Sequence, residues 1–363
     1  MQDLRGGGAE KALIELLKSF DYEKYKVTLC RLYYEGVYLD QIPAEVSVVT
    51  LYKRRNSFYR KSFRYYYKYH VTGLLAWGIR RKIRKHYDAI VSFMEGYSLL
   101  FHSFVTGRTE KNINWIHCDL YNFHYTKDFF DKPEAELAAY KKMDELVFVS
   151  NDAMSNFDKL YSVNVPKRRI LNVIDVEKIN RLAIGLPLPV ADKLVVVAIG
   201  SLMAVKGFDR LIRVARMFKD LNYPLQFQII GQGGGELELK ALRDRLGLQQ
   251  EVEFLGFKQP SYPYLKHADL LVSTSLSEGF PLVICEALAL GIPVVATRTA
   301  GSVELLENGT YGLLTDHDDI SIFEGIKELI DHPDLRTKYR GKSRERAKMF
   351  DVEQTMKQVY ELF

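Results

Sequence analysis

Two carboxylates eight positions apart are the first candidates for chemistry in this sequence. The segment that carries them reads Glu-Gly-Phe-Pro-Leu-Val-Ile-Cys-Glu and runs from Glu278 to Glu286. Pro281 suits the start of a helix because its φ is already helical and it has no N–H group to leave unpaired. The sequence therefore predicts a helix from near Phe280, with Glu278 in the loop before it and Glu286 in its first or second turn.

The start of such a helix is a site for a phosphate. The N–H groups of Leu282 and Val283 have no partner within the helix, and the positive end of the helix dipole adds to their attraction for an anion. Gly279 lets a ligand approach the backbone closely. Carboxylates on Glu278 and Glu286 accept hydrogen bonds from sugar hydroxyls. An isolated pair of glutamates is more often a capping acid and a solvated helix acid, but the flanking sequence favours a sugar-nucleotide site.

That flanking sequence resembles the retaining glycosyltransferases of the GT-B fold, family 4, also called glycosyl transferases group 1. The motifs that carry the resemblance occur in the order Ile230–Gly233, Val252–Phe257, Ala268–Leu276, Gly291–Thr297, and Gly301 with Glu304. They cover nearly the whole C-terminal half of the chain. The resemblance implies an α/β fold with two doubly wound, Rossmann-like domains that face each other across a cleft.

The resemblance also implies an activity. The enzyme would move a sugar from a nucleotide diphosphate sugar to an acceptor hydroxyl with retention of anomeric configuration, without a metal or a cofactor. No residue has the pattern of a double-displacement nucleophile, so the family's same-face attack, assisted by the departing phosphate, is the implied mechanism. The implied role is bacterial cell-surface polysaccharide or glycolipid synthesis, with a lipid-linked or polysaccharide acceptor.

Donor-binding roles follow from the same resemblance. Glu286 would bind the ribose hydroxyls, and Glu278 would hold the transferred sugar. Lys206 would neutralise the diphosphate as it leaves. Further donor-binding positions on the matching motifs are Gly8, Ser201, Gly279, Phe280, Pro281, Leu282 and Val283.

Ser201 departs from the family pattern, which has an arginine there. An arginine fork holds two phosphate oxygens, whereas a serine offers one weak donor. We expect either a reduced donor affinity or another basic group in that place, with Arg298 and Lys258 as candidates. Lys206, five residues further on, could alternatively be a surface lysine after a turn.

Three features of the N-terminal half belong to the same interpretation. The run Gly6-Gly7-Gly8-Ala9-Glu10-Lys11 precedes an apolar helix and resembles the family's glycine loop, although such a run alone also fits a plain turn.

His117 ends an apolar run at the carboxyl end of a predicted strand. Lone histidines in strands are more often structural, but the resemblance places a histidine there against the transferred sugar, so we interpret His117 as catalytic. Asp119 either binds the acceptor or orients its loop.

The net charge of +5 is modest, but its distribution is uneven. Between Val46 and Tyr87 there is no Asp or Glu, and twelve Lys and Arg fall between Lys53 and Lys85. Eight aromatic residues between Phe58 and Trp77 are interleaved with them. This composition favours an anionic membrane surface, as on the inner face of the cytoplasmic membrane. Nucleic acid would attract the same residues, and a solvated basic helix pair with inward aromatics is the third interpretation.

The remaining composition fits an ordinary globular protein of two domains. No apolar run reaches the roughly 18–20 residues that span a bilayer, and no secretory signal is present at the start of the sequence. The three cysteines have no metal-ligand spacing and suit a reduced, cytoplasmic protein. Eight scattered histidines give no paired metal motif.

Short apolar runs alternate with amphipathic stretches, which is typical of parallel α/β sheets. We predict an acceptor-side domain over residues 1–184, a nucleotide-sugar domain over 185–345, and a terminal segment, 346–363, that packs back on the first domain. The Gly-Leu-Pro-Leu-Pro run after Ile184 is the expected linker. Strands are predicted at residues 26–33, 46–51, 89–93, 114–117, 146–149, 169–172, 194–199, 226–230, 252–255, 270–274, 294–296 and 312–314.

The beginning of the sequence departs from a doubly wound domain. A glycine loop of this kind follows a strand of about five or six residues, yet only Met1 to Arg5 precede Gly6. We expect that the first strand is missing or truncated and that the open reading frame begins upstream. Its loss would leave unpaired backbone groups and an exposed apolar slot.

Two other function classes stay open at this stage. A nucleotide-sugar epimerase would use the same fold, but it needs acid and base groups for elimination, and we find no matching motif. A non-catalytic sugar-nucleotide-binding or partner module is motivated by Ser201 and the short N-terminus. Formation of an epimerised donor identifies the first alternative, and absence of hydrolysis or transfer identifies the second.

Overall fold

The computed structural model of the protein describes residue 4 and residues 6–52, 57–184 and 193–363. The chain divides into two compact units, the first formed by Met1–Val173 with Val352–Phe363 and the second by Ile174–Asp351. The expected linker after Ile184 lies outside the described residues.

The first unit is an α/β unit whose strands all pair in parallel. Its described strands are β1 (Thr28–Arg31), β2 (Ser47–Thr50), β3 (Tyr87–Ser92), β4 (Thr109–Ile116), β5 (Glu145–Phe148) and β6 (Lys167–Arg169). They form two sheets, β1-β2 and β3-β4-β5-β6. The last strand ends earlier than the predicted 169–172, because pairing with β5 runs only from Lys167 to Arg169.

The helices of the first unit follow its strands in the alternation that the sequence predicts. They are α1 (Gly8–Lys18), α2 (Ser57–Tyr69), α3 (Gly73–Lys82), α4 (Tyr97–His102), α5 (Pro133–Tyr140) and α6 (Asn151–Leu160). A buried cluster that includes Tyr66, Tyr140 and Phe148 forms the core beneath them. The helices therefore bury their apolar faces against the sheets, as in other α/β folds.

The end of the chain returns to the first unit. Its last helix covers Val352–Tyr360. The ring of Tyr360 stacks on Tyr25 at 4.8 Å between centroids, and its hydroxyl accepts a hydrogen bond from the Asp21 N–H at 2.8 Å. Residues 346–351 are grouped with the second unit, so the structural division differs by a few residues from the one placed at 345/346.

Leu4 forms an isolated parallel bridge with Gly36, just beyond β1. The Leu4 N–H donates to Glu35 O at 3.1 Å, and Tyr38 N–H donates to Leu4 O at 3.4 Å. Gly36 has a φ of +139°, and a Cβ there would lie 2.1 Å from Leu4 O. Glycine is therefore required for this close approach. This bridge does not test the expectation that the first strand is missing or truncated, which stays a prediction.

The second unit contains one parallel sheet. Its strands are β7 (Leu194–Ile199), β8 (Leu225–Ile230), β9 (Val252–Gly256), β10 (Leu270–Ser273), β11 (Val294–Thr297) and β12 (Leu313–Thr315). Their order is β12-β11-β10-β7-β8-β9. The chain therefore builds outward from β7 to β9 and then crosses back to β10 on the other side of β7.

Helices connect these strands. They are α7 (Val176–Leu182), α8 (Phe208–Asp220), α9 (Glu236–Arg245), α10 (Tyr262–His267), α11 (Leu282–Leu290), α12 (Ala300–Leu305), α13 (Asp319–Asp331) and α14 (Pro333–Ala347), and the terminal helix is α15. Helix α7 precedes the predicted boundary at 184/185 but packs within this unit, because Asn180 Nδ2 donates to Ala289 O at 3.1 Å. Asp175 begins it by accepting a hydrogen bond from the Lys178 N–H at 2.8 Å.

Candidate active site

The strand order of the second unit indicates where a ligand is expected. In an open parallel sheet, ligands lie outside the carboxyl ends of the strands where the chain reverses its direction across the sheet. That point lies between β7 and β10, which are neighbours in the sheet. The loop after β7 carries Ser201 and Lys206, and the loop after β10 carries Glu278. The topology thus brings together residues that are more than 70 positions apart in the sequence.

Lys206 and Glu278 form an ion pair across this point. The Lys206 ammonium donates to Glu278 Oε1, and the Ser275 hydroxyl donates to the same oxygen at 2.8 Å. Both side chains remain accessible, at 24% for Lys206 and 14% for Glu278. A phosphate that replaced Glu278 as the partner of Lys206 would keep a charge-assisted contact for the ammonium. The pair therefore places a candidate cation for an anionic ligand next to a hydrogen-bond acceptor.

Thr274 fixes the position of Lys206. Its hydroxyl lies 3.0 Å from Lys206 O and 2.9 Å from Gly207 O. Leu276 N–H donates to Val205 O at 2.7 Å, so backbone and side-chain bonds together join the two loops. Thr274 is 3% exposed. The sequence analysis gave it no role, although a hydroxyl at the carboxyl end of a buried strand is a signal for this kind of support.

Helix α11 begins two residues later than the predicted start near Phe280. Pro281 is the N-cap, with a φ of −70° and an extended ψ of 101°, and the first helical residue is Leu282. The correction has a physical reason: the fixed φ of proline is compatible with both helical and extended ψ values. The first helical bonds are donated by Ile284 and Cys285 to Pro281 O, so the N–H groups of Leu282 and Val283 precede them at the open end of the helix.

The loop before α11 is held by helix α12, which follows the next strand. Gly301 N–H donates to Glu278 O at 2.9 Å. A Cβ at Gly301 would lie 2.5 Å from Pro281 Cδ and 2.7 Å from Gly279 O, so no larger residue fits. Helix α12, which contains Gly301, starts with a capping box between Thr299 and Ser302. This support keeps Gly279 and buried Phe280 in place beside Glu278.

Glu286 is the fifth residue of α11, in the second turn of the helix, and its side chain is buried, at 5% exposed. It follows Cys285, a buried free cysteine whose Sγ contacts Pro281 O at 3.7 Å. Burial, and secondarily the negative charge of Glu286, raises the pKa of the Cys285 thiol well above its ordinary value. The role predicted for Glu286, binding the ribose hydroxyls of a donor, stays a prediction.

The loop that carries Ser201 packs against the loop after β8. Leu202 N–H donates to Gln232 O at 3.0 Å, and Gly235 N–H donates to Leu202 O at 2.9 Å. Gly231 has a φ of +152°, and a Cβ there would lie only 1.8 Å from Gly200 O. These contacts fix the backbone on both sides of Ser201.

Both predicted substitutes for an arginine at Ser201, Lys258 and Arg298, belong to the second unit, and this role stays a prediction. Lys258 stands over the Tyr264 ring at 5.6 Å, and Arg298 is exposed, with its N–H bonded to Thr315 O at 3.0 Å. Sequence analysis missed Arg210, whose guanidinium donates to Thr274 O beside Gly207. Burial lowers the pKa of Arg210 from its ordinary value.

His117 follows β4 in the first unit and is 8% exposed. Its ring lies 4.6 Å from the Phe93 ring and stacks with Trp115 at 6.2 Å between ring centroids. The backbone N–H of His117 donates to Glu95 Oε2 at 2.9 Å. Burial lowers the pKa of His117 to about 4, against the opposing charge of Glu95. The imidazole is therefore neutral at pH 7. Among the described residues, its buried Nε2 has no hydrogen-bond partner, which suits a ligand hydroxyl.

Glu95 is a further residue that the sequence analysis missed. It is 2% exposed and accepts hydrogen bonds from the His117 N–H and, at 2.5 Å, from the Tyr125 hydroxyl. It therefore fixes the backbone of His117. Asp119 accepts from Asn122 Nδ2 at 2.6 Å and from Asn156 Nδ2 at 2.9 Å, which supports the loop-orienting role among its two predicted ones.

Gly8 is the first residue of α1, after an extended N-cap at Gly7. A Cβ at Gly8 would meet nothing within 4 Å, so the backbone at this position is open to approach. His117 and Gly8 belong to the first unit, whereas the other predicted site residues belong to the second.

The basic aromatic segment, residues 53–85, is a helical pair in its described part, 57–85. Phe63 and Tyr66 of α2 and Leu75 and Ile79 of α3 are buried. Another set of aromatic residues is exposed: Tyr65, Tyr67, Tyr69 and Trp77. Of the eight aromatic residues, two are therefore buried, two are intermediate and four are exposed beside exposed basic side chains, so the three interpretations of this segment stay open.

Among the described residues, no group of three or more His, Cys, Asp or Glu side chains could hold a metal ion. No helix in the described part of the chain has the length and apolar character needed to cross a bilayer.

Known structures share this fold over nearly the whole chain. The crystal structure of Anabaena Alr3699/HepE in complex with UDP and glucose has a TM-score of 0.79, at 22% identity, and the match covers 99% of this chain and 97% of that one. Sucrose-phosphate synthase from Thermosynechococcus elongatus has a TM-score of 0.78, at 17% identity, covering 99% and 94%. The fold is the α/β GT-B fold, with two Rossmann-like units.

Part of the chain is similar to a known family. Residues 187–346 match the sequence profile of "Glycosyl transferases group 1". The N-acetylgalactosamine-N,N'-diacetylbacillosaminyl-diphospho-undecaprenol 4-alpha-N-acetylgalactosaminyltransferase of Campylobacter jejuni subsp. jejuni serotype O:2 is 33% identical over 215 residues, which span 58% of each chain. The chain therefore spans less than two thirds of the length of this relative.

Proposed function

We propose that the protein is a retaining glycosyltransferase that moves a sugar from a nucleotide diphosphate sugar to an acceptor hydroxyl. The observation that carries the proposal is the Lys206–Glu278 pair at the reversal point of the second sheet, beside the open start of α11. Lys206 provides a cation for a diphosphate, and Glu278, which is in contact with it, provides a hydrogen-bond acceptor for sugar hydroxyls. The family match over the same residues supports it.

Each group has a part in the proposed reaction. The bond between the anomeric carbon and the diphosphate oxygen breaks, and the acceptor oxygen forms the new bond on the same face of the sugar. The acceptor proton passes to the departing diphosphate oxygen. Lys206 and the N–H groups of Leu282 and Val283 stabilise the charge that develops on the diphosphate, so this reaction proceeds without a metal ion. Glu278 holds the sugar, and neutral His117 binds one of its hydroxyls.

The acceptor is proposed to be lipid-linked and the synthesis to be that of a cell-surface polysaccharide or glycolipid. A curated relative is named as an enzyme acting on a diphospho-undecaprenol acceptor. A solved structure of this fold holds UDP and glucose, so UDP sugars are the first donors to test.

The experiment is a transfer assay with UDP, GDP and ADP sugars and a polyprenyl diphosphate-linked sugar as acceptor. We expect one donor to raise the melting temperature of the protein and to give a product with retained anomeric configuration by NMR. An inverted product contradicts the mechanism, and an epimerised donor without transfer contradicts the enzyme class. Binding of a donor without transfer or hydrolysis indicates a binding module.

Glu286 offers a direct test of the donor site. We expect Glu286→Ala to weaken donor binding by about 1.5–3 kcal/mol, because a ribose hydroxyl loses a charged acceptor. Isothermal titration calorimetry measures the change. Glu304→Ala, on α12, is the matched control and should leave the affinity within about twofold. Equal affinities for wild type and Glu286→Ala would remove Glu286 from the site.

We also propose that the helical pair α2–α3 binds an anionic membrane surface from the cytoplasmic side. Arg81 stands over exposed Trp77 at 5.3 Å, and Lys61 and Lys68 stand over exposed Tyr65 and Tyr69 at 5.9 and 5.5 Å. Cationic groups next to exposed rings suit the interface between lipid head groups and acyl chains. Nucleic acid is the competing partner in the test.

Neutralising three cations of α3 and the residues after it should reduce vesicle binding. Arg81, Lys82 and Lys85 are exposed, whereas Arg80 also donates to Phe104 O at 2.8 Å and is left unchanged. At about 1 kcal/mol per cation, changing the three residues to glutamine should weaken binding to phosphatidylserine vesicles about 100-fold at low salt. Wild-type binding itself should fall as salt rises.

The matched control changes three exposed lysines elsewhere in the chain to glutamine: Lys338 in α14, Lys348 directly after α14, and Lys357 in α15. It has the same net charge as the test variant and should retain wild-type vesicle binding. If the two variants lose binding equally, the helical pair is not the membrane surface. Wild-type protein that does not sediment with anionic vesicles contradicts the proposal outright.

A further inference from the structure

A buried arginine ends the first described strand of the first unit. Arg31 is the last residue of β1 and is 5% exposed. Of the four residues of β1, Leu29 and Arg31 are buried and the other two are only partly buried. Alternate residues of a strand share one face of the sheet. An arginine therefore occupies a position where the pattern of the strand favours an apolar residue.

The described contacts of the Arg31 guanidinium are with uncharged groups. Its Nε donates to Thr50 Oγ1 at 3.1 Å, and its Cζ lies 4.3 Å from the centroid of the Tyr34 ring. Among the described residues, no carboxylate forms an ion pair with Arg31. Burial accordingly lowers the pKa of Arg31 from its ordinary value. Arginine is rarely buried unless it is paired, because the removal of a charge from water is costly.

The guanidinium keeps the capacity to bind an oxyanion. Its N–H donors form a planar fork that matches two oxygens of a phosphate or a carboxylate. Thr50 uses the Nε donor, and the ring of Tyr34 provides no negative charge. The Tyr34 side chain is exposed, so its ring can turn away without disturbing the core. An anionic ligand would thus supply the charge partner that the described residues do not.

Arg31 lies at the end of the first unit where a ligand is expected. It is paired in register with Thr50, the last residue of β2, and ligands of parallel sheets lie outside the carboxyl ends of the strands. Leu32, which follows Arg31, and Ile116, which precedes His117, belong to one buried cluster. Arg31 and His117 therefore belong to the same end of this unit.

Helix α2 packs on the same strand ends. The ring of Tyr59 lies 5.8 Å from the Tyr33 ring and 5.0 Å from the Tyr52 ring between centroids. Tyr33 and Tyr52 follow the last residues of β1 and β2 by two positions each. The strand end that carries Arg31 thus adjoins the helical pair for which we propose membrane binding.

We propose that Arg31 binds an oxyanion of the acceptor, either the phosphate that links a sugar to a lipid or the carboxylate of an acidic sugar. This inference rests on the proposed function, since it assigns a residue to the acceptor of that reaction. A phosphate next to the membrane helices fits a lipid-linked acceptor, whose phosphate joins the lipid to the sugar. A carboxylate offers the same fork of oxygens, and the test separates the two sources.

The test measures binding of small probes to the full chain by isothermal titration calorimetry. Geranyl diphosphate is the phosphate probe, with geraniol as its neutral counterpart. Octyl glucuronide is the carboxylate probe, with octyl glucoside as its neutral counterpart. We expect Arg31→Gln to weaken binding of one anionic probe by about 10- to 100-fold, the cost of losing hydrogen bonds to a charged group. The anionic probe that depends on Arg31 identifies the source of the oxyanion.

Two other arginine variants define what Arg31 contributes. Arg31→Lys keeps the charge without the fork, so its affinity should lie between those of wild type and Arg31→Gln. Arg181→Gln changes an exposed arginine of α7, in the other unit, and has the same net charge as Arg31→Gln. It should bind the probes as wild type does. Equal losses in Arg31→Gln and Arg181→Gln would contradict a specific contact.

Lys206→Met locates the bound diphosphate. Geranyl diphosphate binding that is lost in Lys206→Met but kept in Arg31→Gln assigns the probe to the donor site and overturns the proposal. Equal affinities of wild type and Arg31→Gln for both anionic probes overturn it as well. If Arg31→Gln does not fold, wild type still decides, because a protein that binds neither anionic probe more tightly than its neutral counterpart has no such site.

The binding test is independent of transfer. Binding that depends on Arg31, in a protein that transfers no sugar from any donor, contradicts the proposed function and leaves the oxyanion site in place. Transfer to an anionic acceptor with a KM that is unchanged in Arg31→Gln contradicts the oxyanion site and leaves the proposed function in place.

Discussion

Replacing Lys206 with methionine should lower kcat/KM for sugar transfer by about 10²–10³-fold, the usual cost of removing one electrostatic donor from a developing negative charge. Methionine keeps the length and apolar stem of lysine and removes only the ammonium. The Glu278 carboxylate then keeps Ser275 as a partner but loses its cation. We expect most of the effect in kcat, because the charge on the leaving diphosphate is larger in the transition state than in the bound donor.

Lys338→Met is the matched control for Lys206→Met. Lys338 is an exposed cation on α14 of the same unit. Steady-state kinetics with the identified donor, together with melting temperatures for each variant, separate chemistry from folding. A Lys206→Met enzyme within threefold of wild type, or a Lys338→Met enzyme that loses as much activity, would contradict the proposed role.

Local patterns in the sequence were sufficient for the strands of the second unit. Leu194–Ile199 is observed with the predicted bounds, and the other strands differ by one or two residues. Each is a short run of β-branched and other apolar residues between turn residues, and both faces of a parallel strand are buried. The start of α11 was placed two residues early because the ψ of Pro281 depends on its neighbours, which include Gly301 from a later helix.

Long-range contacts could not be read from the sequence. The pairing of Lys206 with Glu278 joins positions 72 residues apart and follows from the crossover between β9 and β10. Thr274, Glu95 and Arg210 owe their roles to partners from other loops, so no local spacing marks them. The predicted roles of Glu286, His117 and Ser201 stay predictions, since they depend on a bound donor.

Gly231→Ala should destabilise the second unit by about 2–5 kcal/mol, from backbone strain at positive φ and from forced movement of packed atoms. Gly231 has a φ of +152°, and an added Cβ would lie 1.8 Å from Gly200 O. Gly200 precedes Ser201 at the end of β7, so the loop that carries Lys206 must shift. We therefore expect a fall in melting temperature of roughly 5–15 °C and, in the folded fraction, weaker donor binding.

Gly234→Ala, in the same loop, is the matched control for Gly231→Ala. A Cβ at Gly234 meets nothing within 4 Å, and its φ lies outside the left-handed region. The same methyl group there should leave stability unchanged or raise it by about 0.4–1 kcal/mol, because alanine restricts the unfolded chain more than glycine does. Donor affinity by calorimetry should also stay at the wild-type value. If both substitutions change the melting temperature equally, the close approach of the two loops is not what requires glycine at position 231.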